Sequence, residues 1–114
     1  MKIKLEPLDK LFSQYIRLRD KVCQRCGSSR GLQTSHFIGR SNKAVRWDED
    51  NACALCFGCH QYFTSHPLEH VEFWKQRLGD RFDLLQCRAR EVGRVDKEAI
   101  ALYLNVKIKE FSSD

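Results

Sequence analysis

Two cysteine pairs and three polar side chains carry the chemistry that this sequence can be read for. Cys23-Gln24-Arg25-Cys26 and Cys56-Phe57-Gly58-Cys59 are C-x-x-C hooks, and His36, Asn51 and His60 form a spaced triplet among them. Two such hooks supply four thiolates, the set that zinc takes in a tetrahedral structural site. The gap between these hooks is longer than usual, so a segment carrying His36 and Asn51 has been inserted. Cys53 creates an alternative hook with Cys56; Cys56 and Cys59 are preferred because Cys53 then falls at an inward-facing apolar position. Cys87 has no partner at metal spacing and reads as a small core residue.

Elements that could position these groups follow from periodicity. Residues 7–22 predict an amphipathic helix, with Leu8, Leu11, Phe12, Tyr15, Ile16 and Val22 on one stripe and Lys10, Arg17 and Arg19 on other faces. Pro7 suits its first turn. Leu32 to Ile38 predicts a short strand carrying His36, residues 39–43 a basic loop, and Ala44 to Trp47 a second strand closed by Asp48 to Asn51. A helix is expected from about Ala52–Cys56 through His60 to Phe63. Leu68, Val71, Phe73, Trp74 and Leu78 mark a next helix stopped by Gly79. A shorter one spans about Asp80 to Val92, and Asp96 caps a last helix bearing Ile100, Tyr103, Leu104, Lys107 and Phe111. Trp47 and Trp74 read as core aromatics and His70 as surface.

At 114 residues the chain is read as one domain, 1–114, divided into the helix of 1–22, a zinc-bound core over 23–63 and helices over 64–114. Met1-Lys2-Ile3-Lys4 lacks a signal-peptide h-region, and no apolar run reaches membrane-spanning length. The expectation is a cytoplasmic protein with reduced thiols, in which paired hooks bind metal. Net charge is +5, and residues 17–46 hold eight basic side chains against one acid, Asp20. That local excess suits a phosphate backbone as partner. Taken alone, a charge run is as readily a solvated face.

Residues 23–60 together resemble an HNH nuclease of the ββα-metal group with an embedded zinc hook pair. The stretch from Ser35-His36-Phe37-Ile38-Gly39-Arg40 through Arg46-Trp47-Asp48-Glu49-Asp50-Asn51 to Cys56-x-x-Cys59-His60 is also similar to the phage NinG (Rap) recombination-nuclease group. About a third of the chain is involved. The resemblance implies an α+β fold with a small ββα-metal core flanked by helices. It also implies metal-assisted phosphodiester hydrolysis on DNA, in a bacterial or phage-infected cell, on recombination or branched intermediates. His36 would be the general base, Asn51 would brace the loop and orient His36, and His60 would hold a catalytic Mg²⁺ or Mn²⁺ beside the structural Zn²⁺. Arg40, Lys43 and Arg46 are candidates for phosphate contacts.

One departure from the family pattern bears on that cation. The family's acidic residue before the base histidine is Ser35 here, a poor ligand for a hard ion. The missing ligand is then sought in Asp48, Asp50 or His66; the family's second helix-borne histidine would fall at Thr64. A competing expectation is a non-catalytic zinc module that grips nucleic acid or protein. It accounts for the cysteines and the basic stretch but gives no reason for His36 and His60 at this spacing. Cutting both strands would call for a homodimer, with apolar faces of the C-terminal helices as its surface, unless the monomer's own core needs them.

Overall fold

The computed structural model describes residues 3–112; Met1 and Lys2, part of the N-terminal stretch read above, lie outside them. The fold is α+β. Helix α1 (Pro7–Asp20) is followed by strand β1 (Leu32–His36), a single 3₁₀ turn (Glu49–Asn51), strand β2 (Ala52–Cys56), and helices α2 (Phe57–Ser65), α3 (Pro67–Leu78), α4 (Arg81–Ala89) and α5 (Lys97–Ser112).

Helix α1 starts where the sequence provides a reciprocal cap. Asp9 Oδ2 accepts from the Glu6 backbone N–H at 2.8 Å, and Pro7 presets the first turn. Its apolar stripe buries Leu8, Phe12, Tyr15 and Ile16. The helix ends at Asp20 rather than at residue 22: Lys21 turns to φ 66°, and Val22 is exposed.

The second strand differs from expectation. Residues 44–47 are turns, and the partner of β1 is Ala52–Cys56, antiparallel, with His36 opposite Ala52 and Leu32 opposite Cys56. Ala52 to Leu55 are all buried. A short continuous apolar run fits a strand covered on both faces as well as a helix start, and here two layers cover it. Ala52 packs with Phe12, Tyr15, Ile16, Trp47 and Leu104, the α1–α5 side. Cys53 and Leu55 pack with Phe63, Trp74, Leu78, Phe82 and Leu85 of α2 to α4. The outer edge of β2 is closed by Gln24 N–H donating to Ala54 O and by Ala54 N–H donating to Asp20 Oδ2.

The C-terminal helices therefore spend Trp74, Leu78, Phe82, Leu85 and Leu104 on this chain's own core. Leu68 is exposed, and Val71 and Phe73 are half-buried. Gly79 at φ 56° terminates α3, and Asp96 Oδ1 accepts from Ala99 N–H at the start of α5. Helix α4 stops at Ala89, short of Val92, which is fully exposed. No described helix is long and apolar enough to cross a membrane.

Candidate functional site

The hooks converge. The sulfurs of Cys23, Cys26, Cys56 and Cys59 all lie within 4.8 Å of one another, with Cys26 Sγ and Cys56 Sγ 3.6 Å apart. A tetrahedral zinc with ~2.3 Å bonds separates its sulfurs by roughly 3.8 Å, so the donor set fits a zinc-sized ion. Local folding explains the convergence. In each hook the second cysteine's backbone N–H approaches the first one's sulfur, Cys26 to Cys23 at 3.4 Å and Cys59 to Cys56 at 3.5 Å. Arg25 Nη1 donates to Cys59 Sγ at 3.4 Å, offsetting thiolate charge. Cys53 stands outside the four: it is fully buried, and burial pushes its thiol up to about 12. The hook register is therefore 56–59. Cys87, expected in the core, is exposed.

A cleft of about 860 Å³ runs between α1 and β1, with His36 and His60 both in its lining. His36 closes β1. Its Nε2 lies 3.0 Å from the backbone oxygen of Arg46. A carbonyl only accepts, so Nε2 carries the proton and Nδ1 keeps its lone pair. Burial holds the His36 pKa below the ordinary imidazole value; the Arg46 carbonyl opposes this and the Arg40 charge adds to it. His60 sits in the first turns of α2, directly after the hook residue Cys59. Its Nδ1 is 2.7 Å from Gln33 Oε1, which by the same logic leaves Nε2 as the basic nitrogen.

Asn51 is completely buried. Its Oδ1 accepts from Ile38 N–H at 2.8 Å, and its Nδ2 donates to Ile38 O at 2.8 Å and Val45 O at 3.0 Å. Its own carbonyl accepts from Phe37 N–H. The carboxamide thus braces the loop between the strands, which explains why 44–47 needs no ladder partner. It makes no bond to the His36 ring; Arg46 O holds that ring instead.

Several expected residues fall elsewhere. Arg46 is no phosphate ligand: only 4% exposed, it pairs with Asp9 at 2.6 Å and donates to Lys4 O. Arg40 lines the cleft, and Lys43 is exposed on the same loop. Asp48 and Asp50 are held by Arg88 and Arg81 of α4, each with a 2.7 Å contact. Ser35 is buried opposite Cys53, and His66 stacks on Tyr62 with its Nδ1 on Tyr62 O. None of these four lines the cleft. His70 is not surface: its Nε2 accepts from Trp74 Nε1, its ring stacks on Phe63, and burial lowers its pKa.

Among the described residues, the four cysteines are the one group of three or more such donors that converges. Around His60 the neighbouring oxygen is an amide, and the cleft's carboxylate, Asp9, is committed to Arg46 and Trp47. That donor chemistry does not fit a Mg²⁺ held by protein carboxylates; one imidazole suits an ion that prefers nitrogen. Sequence reasoning missed Gln33, Lys10, Gln14 and Arg17, which also line the cleft. The i, i+4, i+7 spacing of the last three was a signal for one shared face. No family model, curated protein or solved structure matches the chain.

Proposed function

We propose that this chain is a metal-dependent endonuclease of the HNH, ββα-metal kind that hydrolyses DNA phosphodiester bonds. The observation that supports it most is the pair of imidazoles in one cleft, each with one nitrogen tied to a carbonyl oxygen and the other left basic. A zinc module with no catalysis gives no reason for that pairing.

In this reading His36 Nδ1 takes a proton from the attacking water. A neutral imidazole at working pH is what a base needs, and burial keeps His36 neutral. Arg46 O holds the ring's other nitrogen, fixing tautomer and direction. His60, aimed by Gln33, would hold a divalent cation through Nε2. When bound, that ion stabilises the charge developing on the phosphate. With no carboxylate free to help, Co²⁺ or Ni²⁺, which imidazole suits better, is expected to outperform Mg²⁺, with Mn²⁺ between them. Zinc bound by the four cysteines would hold the start of α2, and hence His60, rigidly against β1. Arg40 and Lys43 contact flanking phosphates; branched recombination intermediates remain the proposed substrate class by resemblance alone.

The test is relaxation of supercoiled plasmid by zinc-loaded protein with Mg²⁺, Mn²⁺, Co²⁺ or Ni²⁺ added. Nicking that is strongest with a transition ion supports the reading. DNA binding without cleavage under any of them would leave the non-catalytic module.

A further inference from the structure

Helix α1 presents a polar stripe that neither the zinc site nor the two histidines use. Lys10, Gln14 and Arg17 line the cleft from the side facing His36 and Arg40. Their spacing puts them on one helical face, opposite the buried Leu8, Phe12, Tyr15 and Ile16. At ~1.5 Å rise per residue, Lys10 and Arg17 are about 10 Å apart along the axis, roughly three phosphate-to-phosphate steps of one strand measured along a B-DNA axis.

The electrostatics of this wall are uncompensated. Lys10, Arg17 and Arg40 form no ion pair among the described residues. Arg17 makes only a 3.2 Å bond from Nε to Ser13 O, which leaves its terminal nitrogens available. Asp9, the one carboxylate in the lining, is already neutralised by buried Arg46. No phenylalanine, tyrosine or tryptophan lines the cleft, so it offers no stacking platform for bases. Cations that meet a strand through its phosphates position it and carry no sequence information directly.

We infer that α1 is the second wall of a channel for one DNA strand, in which Lys10, Gln14 and Arg17 hold phosphates beside the one cleaved. The inference rests on the nuclease reading and adds its strand-binding surface. Ser13 Oγ, 2.8 Å from Thr34 Oγ1, ties this wall to β1, so the channel width is set by the fold. Binding through these residues is indifferent to sequence and steeply dependent on salt.

The experiment is fluorescence anisotropy of a labelled DNA duplex and of its single strand, titrated with zinc-loaded full chain over a series of NaCl concentrations. Each phosphate contact adds about 0.9 to the slope of log K against log salt. The double variant Lys10→Gln/Arg17→Gln is expected to flatten that slope by about 2, whereas Lys10→Arg/Arg17→Lys keeps it. Lys75→Gln, on α3 and paired with Glu72, leaves it unchanged. If the double variant keeps the wild-type slope while Arg40→Gln lowers it, α1 is not part of the channel and the nuclease reading stands. If the wild type binds neither DNA form, both fall together.

Discussion

The ring of His36 is held by the backbone oxygen of Arg46, 3.0 Å away, and the side chain of that same Arg46 is locked to Asp9 on α1. The residue taken from the sequence as a phosphate contact is thus the one that positions the His36 ring. Arg46 gives Asp9 two bonds, 3.0 Å from Nε and 2.6 Å from Nη2, and Trp47 Nε1 adds a third at 2.9 Å. Asp9→Asn removes the nearer of the two counter-charges of a buried guanidinium and leaves Glu6 Oε2 at 3.4 Å, so the loss should fall below the ~3–5 kcal/mol of a fully orphaned buried charge. Urea unfolding of the zinc-loaded protein measures it. An effect below about 1 kcal/mol would mean that the pair is screened by solvent.

Asn51 is the second support. Asn51→Ala removes the partners of Ile38 N–H and Ile38 O at once, and one of the two donors to Val45 O, which keeps Asp48 N–H. Each orphaned group costs roughly 1–3 kcal/mol where water cannot reach it. The variant is expected to melt well below wild type and to lose nicking while it still binds zinc through the cysteines. Asn51→Asp retains an acceptor for Ile38 N–H but sets a carboxylate against two carbonyls, so it should fare no better.

The pH dependence follows from His36. Its pKa is lowered from 6.5 by burial, with the Arg40 charge contributing. The imidazole of the free protein is therefore neutral down to below its ordinary range, and if His36 is the base the acid limb of the kcat/KM profile, measured at subsaturating DNA, should lie below 6.5. Arg40→Gln removes a positive neighbour and should move that limb towards higher pH. For stability the sign is the same: between the folded pKa and 6.5 the unfolded chain binds more protons. The His36 contribution is present above 6.5 and lost as pH falls through the folded value. It is read as the difference between wild type and His36→Asn, which cancels the separate effect of acid on the thiolates.

The cysteine register gives a prediction with a stoichiometric readout. Cys56→Ser breaks the four-sulfur set and should abolish tight zinc binding, and with it cooperative folding, since such a site contributes ~10–16 kcal/mol. Cys53→Ser puts a hydroxyl into a fully buried position and should lower stability while retaining one zinc per chain by colorimetric release. Zinc lost from Cys53→Ser and kept in Cys56→Ser would reverse the assignment.

What was legible in the sequence was local. The hooks announce themselves by spacing, α1 by its stripe and its Pro7 start, and α5 by Asp96. That 44–47 is a loop and not a strand was not legible, because what pins it is a carboxamide several residues away. The true partner, Ala52–Cys56, hid as an apolar run whose two covered faces erase any period. Arg46 looked like a surface cation because its partner, Asp9, is 37 positions distant. Cys87 looked like core by residue type alone, and it is exposed. The opposed tautomers of His36 and His60 depend on Arg46 O and Gln33 Oε1, contacts that only the antiparallel register and the start of α2 bring about.

The central claim is that His36 acts as the base on a phosphate held in the cleft. Its most direct test is the single-turnover nicking rate of His36→Ala against wild type, both zinc-loaded, with Mn²⁺ and saturating DNA. The expected result is a rate lower by about 10²–10⁴-fold, with unchanged DNA affinity and an unchanged circular dichroism spectrum. A folded His36→Ala protein that nicks at the wild-type rate would contradict it.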